Sequence, residues 1–105
     1  VTGYILTTAA EADLRGIIRY TGREWGAAQV RRYMARLEQA IVALAAGQGS
    51  FKEMSDLFPG LRMVRCERHY IFCLPRENEL SLIVAIFHER MDIMTRLTDR
   101  MSMDV

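Results

Sequence analysis

The sequence predicts an α+β domain: an N-terminal strand, an αα-hairpin packed on a twisted antiparallel sheet of about four strands, and a short C-terminal helix. Three observations carry that expectation. Two segments of helical hydrophobic period follow each other in the first half, and three β-rich runs joined by short turns fill the second. With 105 residues there is room for one core, so 1–105 is read as a single domain.

Tyr4 to Leu6 is short and β-prone, and it ends at Thr7-Thr8. Thr8-x-x-Glu11 fits a capping box, whose side chains would satisfy free amides at a helix start. Leu14, Ile17, Ile18, Thr21 and Trp25 then fall on one helical face, with Glu11, Arg15, Arg19 and Arg23 mostly outside it. Gly26 can adopt corner dihedrals that side chains resist, and a second helix restarts there. Its apolar stripe is Val30, Tyr33, Met34, Leu37, Ile41 and Leu44, and Gly47 and Gly49 stop it. Two such helices make a hairpin whose apolar face must be covered by something else.

The covering element is expected downstream of Pro59-Gly60, in Leu61 to Cys66, Tyr70 to Leu74 and Leu80 to Phe87. The turns at Glu67-Arg68-His69 and Pro75 to Glu79 are short enough to imply antiparallel neighbours. Leu80 to Phe87 is nearly all apolar, as a central strand covered on more than one side would be. Glu89 to Met101 reads as the last helix, with Glu89 and Asp92 in its first turn and Arg96 and Arg100 in its last, both favourable to the helix dipole. Its short length predicts that apolar residues of the last strand stay partly uncovered.

Composition narrows the function classes. No run of about 18 apolar residues predicts a membrane span, and no secretory leader is visible, so a cytoplasmic protein is expected. Cys66 and Cys73 lack zinc or CxxC spacing and read as buried free thiols acting as small hydrophobes. No metal-ligand set, phosphate loop or nucleophile elbow is present, so no metal or cofactor is expected. A net charge of +1 gives no general polyanion signature, and direct nucleic acid binding is not expected of the chain alone. The charge is nevertheless uneven. Residues 58–76 carry Arg62, Arg65, Arg68 and Arg76 against Glu67, a local +3. Arginine forks suit carboxylate or phosphate, so this cluster either faces an acidic partner or forms a solvated sheet face. His69, at a turn, reads as solvated or bonded to backbone; His88, at the end of the last strand, reads as tied to backbone or as a proton carrier. Met91, Met94, Met101 and Met103 make the chain end soft and apolar, suited either to packing or to a partner.

The more specific signal is Tyr20-x4-Trp25-Gly26-x2-Gln29-x3-Tyr33-x3-Leu37, which joins two amphipathic helices through a Trp-Gly corner. With Gly60-x-Arg62, His69-x-Ile71-Phe72 and His88-x-Arg90-Met91-Asp92, the chain resembles, from Tyr4 to Arg100, the ParE branch of the ParE/RelE toxin superfamily. The resemblance implies the same element order and a small bacterial toxin of a type II toxin-antitoxin pair. Such a toxin inhibits DNA gyrase and is neutralised by a cognate antitoxin. The apolar surface expected above to stay partly uncovered, with the open edge of such a sheet, leads us to expect that a disordered antitoxin segment folds on it. Target contacts would come from Arg62, Arg65, Arg68 and Arg90, and antitoxin contacts from Trp25, Tyr33, Leu37, Phe87, Met91 and Met94. In the RelE branch the activity is ribosome-dependent mRNA cleavage, for which His88, Arg62 and Arg90 would serve here. Against that branch, the loop before the strands has only Lys52 as a basic residue, and Thr95 and Leu97 stand where a RelE tyrosine is usual. A third possibility is a member that has lost toxicity and persists as a binding module. The chain departs from the usual ParE pattern at Gly47 to Phe51, where a proline often precedes the glycine, and at Cys73, where an aromatic is frequent.

Overall fold

The computed structural model describes residues 3–102; Met103, one of the tail methionines noted above, lies outside them. The order is β1 (Tyr4–Leu6), α1 (Thr8–Trp25), α2 (Ala27–Ala46), β2 (Lys52–Glu53), β3 (Arg62–Cys66), β4 (His69–Leu74), β5 (Ser81–His88) and α3 (Ile93–Ser102). The sheet has five strands in the order β1-β5-β4-β3-β2 and is mixed. β1 runs parallel to β5, and the other pairs are antiparallel as expected. The parallel pairing is possible because the whole hairpin separates β1 from the later strands, long enough to return the chain to the same end of the sheet.

The helix limits have local causes. Thr7, not Thr8, caps α1: its backbone is extended and its Oγ1 accepts the Ala10 N–H at 3.1 Å. The corner is Gly26 at φ 86° and ψ 172°, a region that is almost exclusively glycine's, so α1 can stop and α2 begin one residue later. Gly47 ends α2 in the left-handed conformation at φ 72°. Beside it the Arg62 guanidinium donates to the Leu44 carbonyl at 3.0 Å and stacks on Phe51. The last helix is shorter than expected at its start. Asp92 caps it, its carboxylate accepting from Thr95, whereas Glu89 leaves the helix and pairs with Arg65 at 2.7 Å.

The hairpin covers one face of the sheet, α1 over β5 and α2 over β3 and β4. Leu37, Ile41, Leu44, Ile17 and Ala10 meet Ile71, Cys73, Ile83 and Ile86 there. The other face is not left open: Met54 and Leu61 from the loop before β3, together with Leu97 of α3, close over Phe72, Leu82, Val84, Ala85 and Phe87. The expectation of a partly uncovered last strand is therefore corrected, because residues 54–61 fold back as a compact turn that no periodicity revealed. Ser81 to Phe87 are all buried, and the continuous apolar run has that cause. It also conceals a bulge. Phe72 faces Ala85 while Cys73 faces Ile83, so Val84 is an extra residue and joins Ala85 on the second face.

Candidate functional site

Where β1 ends, β5 continues unpaired on that side, its last bond to the chain there being Thr7 N–H to Ile83 O at 3.1 Å. Asp13 of α1 and Arg100 of α3 close the exposed edge. Asp13 accepts the Ile86 N–H at 3.0 Å and Arg100 donates to the Val84 carbonyl at 2.9 Å, while the two side chains form a bidentate pair at 2.9 and 3.1 Å. The guanidinium lies over the Phe87 ring. The charges are largely buried and paired with each other, and among the described residues no buried side-chain nitrogen or oxygen lacks a partner, as the cost of their desolvation requires.

Beyond this plug a cleft of about 700 Å³ opens between the hairpin and the sheet end. α1 gives it Tyr20, Thr21 and Trp25, α2 gives Gln29, Tyr33 and Arg36, and the β3–β4 turn with the end of β5 gives Arg68, His69, His88 and Met91. Trp25 is 70% exposed and Tyr20 54%, large apolar surfaces for a free side chain. The apolar face expected for α1 thus divides: Ile17 and Thr21 enter the core, whereas Ile18 and Trp25 do not.

His69 is neither solvated nor bonded to backbone, which corrects the expectation for a turn histidine. It is the first residue of β4, buried, with its Nδ1 against the Tyr33 hydroxyl. Burial, helped by the neighbouring His88, lowers its pKa to about 4. Burial likewise raises that of the Tyr33 phenol. His88 stands directly across from His69, ring centroids 5.1 Å apart, and its Nδ1 accepts the Arg90 N–H at 3.1 Å. The cysteines are free; Cys73 is buried, which pushes its thiol up to about 11, and Cys66 is half-buried beside His69.

The arginines expected to act together are dispersed. Arg62 lies at the far end of β3, paired with Cys73, whereas His88 aligns with His69 and Cys66 at the near end, about 13 Å away along the strand. Arg65 and Arg68 both reach Glu89, at 2.7 and 3.8 Å, and Arg36 pairs with Glu67 at 2.9 Å. Among the described residues the Arg90 guanidinium has no partner. Of the residues expected to meet an antitoxin, Trp25, Tyr33 and Met91 line the cleft, and Met94 is exposed on α3. Leu37 and Phe87 are core side chains, on the inward stripe of α2 and on the second face of the sheet, which removes them from direct contact. The missed residues are Asp13 and His69. Nothing local in the sequence marks Asp13, while His69 stood in the recognised motif without a role.

An αα-hairpin on a mixed sheet, with a cleft at their junction, defines an α+β class shared with a solved structure, "Chromosomal ParDE TA system from P. aeruginosa". The TM-score is 0.66 at 19% identity, over 83% of this chain and 95% of that one, a likeness of fold. Residues 4–93 match the model of the ParE toxin of type II toxin-antitoxin system, parDE, and the chain belongs to that family. It is 73% identical to Toxin ParE of Escherichia coli over 101 residues, 96% of this chain and 98% of that protein. Toxin ParE1 of Mycobacterium tuberculosis is 30% identical over 90 residues, 86% of this chain and 92% of that protein. The resemblance read from Tyr4 to Arg100 is borne out as to the family.

Proposed function

We propose that this ParE-family toxin acts in the cytoplasm by binding DNA gyrase and blocking replication, without catalysis of its own, and that a cognate antitoxin neutralises it. The near full-length identity to a ParE toxin carries this reading. Geometry supports it, since Arg62 caps α2 at the opposite end of β3 from His88 and the set a RelE-type nuclease would need is dispersed. The cleft suits an amphipathic antitoxin helix, because Tyr20, Trp25 and Met91 present apolar surface that a free domain normally covers. β3 offers Val64 to Cys66 beyond the two-residue β2 as an edge to which an extended segment can add. No helix among the described residues is long and apolar enough to cross a membrane.

Purified toxin should inhibit supercoiling by gyrase or accumulate the cleaved complex. The observation that favours RelE-type cleavage instead is the pair of histidines on an open cleft with Arg90 nearby. Rapid mRNA cleavage on ribosomes, with gyrase unaffected, would establish that alternative.

A further inference from the structure

We infer that the sheet end of the cleft reads a carboxylate of the antitoxin segment through the Nε2–H groups of His69 and His88. This rests on the antitoxin occupying the cleft and names the chemistry by which it is recognised. The tautomers follow from the partners. A backbone N–H can only donate, so the His88 Nδ1 that accepts from Arg90 at 3.1 Å is the bare nitrogen and the proton sits on Nε2. The Tyr33 hydroxyl accepts the Arg68 N–H at 3.3 Å, which leaves its own hydrogen free to go to the Nδ1 of His69, and we take that arrangement. His69 is accordingly also an Nε2–H ring. Among the described residues neither Nε2 has a partner, and no buried side-chain nitrogen or oxygen lacks one, so the His69 Nε2 opens on the cleft that both rings line.

Two imidazoles set edge to face on one cleft, centroids 5.1 Å apart, offer it donors that call for an acceptor, and the surroundings say which kind. Tyr20, Trp25 and Met91 form an apolar wall, and Arg90 adds an uncompensated positive charge. The occupant that matches is an acidic residue set among apolar ones. A phosphodiester strand matches less well. Arg36, Arg65 and Arg68 are already held by Glu67 and Glu89, which leaves Arg90 to compensate one anionic group, whereas a strand brings a charge with every nucleotide. The groups around the ring pair are Asp13 and Tyr20 from α1, Tyr33 and Arg36 from α2, Cys66 from β3, Glu67 and Arg68 from the turn, and Glu89 and Arg90 beyond β5. A carboxylate at Nε2 raises the pKa of the His69 ring from its value of about 4, so binding takes up a proton there and affinity rises as pH falls toward that range.

The test uses the full chain, which has one tryptophan, Trp25, in the cleft wall. The probe is 3-phenylpropionate, compared with its neutral amide and with a short oligoribonucleotide, read by Trp25 fluorescence and by imidazole nitrogen resonances. The carboxylate should bind about tenfold more tightly than the amide in mildly acidic buffer, the worth of one charge-assisted bond. It should move the His69 titration upward and bind more tightly as pH falls, and H88F, which keeps a ring and loses the donor, should lose the preference. Equal binding of carboxylate and amide, a flat pH dependence, or displacement of the carboxylate by the oligoribonucleotide overturns the subsite. The antitoxin itself separates the two readings. If it leaves Trp25 emission unchanged, occupancy of the cleft fails and the subsite with it; if it shifts Trp25 while carboxylate and amide bind equally, the subsite alone fails.

Discussion

Asp13 and Arg100 connect three elements that share no sequence neighbourhood: α1, the free edge of β5 and α3. Removing one partner strands a largely buried charge and unsatisfies a strand amide. Asp13→Ala is therefore expected to lower stability by about 3 kcal/mol, and Asp13→Ala with Arg100→Met by less, both measurable by urea unfolding. His69 gives the stability a pH dependence. The unfolded chain protonates this ring near pH 6.5, whereas the folded one waits until about 4. Its contribution is complete above about pH 6.5, declines as pH falls through that window and levels off below 4, a loss of up to about 3 kcal/mol. His69→Gln should flatten this part of a stability profile measured by chemical unfolding at successive pH values.

Among the elements, the hairpin depends on one backbone corner. A Cβ at Gly26 would touch nothing within 4 Å, so the cost of Gly26→Ala is conformational, not steric. At φ 86° and ψ 172° that cost is about 1–3 kcal/mol. The variant should unfold at correspondingly lower denaturant, and because Trp25 precedes the corner its fluorescence should change in the folded state. Gly47 differs: a Cβ there would lie 3.2 Å from the Arg62 guanidinium, so the αL cap and the arginine that completes it constrain each other. Arg62 is thereby a device for ending α2, and its substitution would affect folding before any target contact.

At the scale of the whole molecule, both sheet faces are covered within the chain, and what stays open is the hairpin cleft and the sheet edges. A partner that binds only the folded toxin must stabilise it. The antitoxin's C-terminal half, at a free concentration a hundredfold above its dissociation constant, should add about 2.7 kcal/mol and raise the melting temperature by about 10 °C or more. Circular dichroism should show ordered structure gained on mixing. No rise and no gain would exclude folding of the antitoxin on the toxin.

Periodicity and local turn residues determined the hairpin, its glycine corner and the three main strands, because helical and strand burial repeat at fixed short spacings and glycine marks positive-φ backbone locally, whereas the family resemblance was carried by residue identities from Tyr20 to Leu37 and from His88 to Asp92. Tertiary structure decided everything that depends on contacts distant in sequence. The parallel placement of β1, the bulge at Val84 and the folded-back cover of residues 54–61 leave no periodic trace, since an all-apolar run reads the same whichever face each residue takes. The site shows the same division. Trp25, Tyr33, His88 and Met91 were legible as motif residues, but charge counting grouped arginines that the strand register sends to opposite ends or hands to glutamates. His69 acquires its partner 36 positions away, on a helix laid across the sheet. Its lowered pKa exists only once that packing has removed it from water.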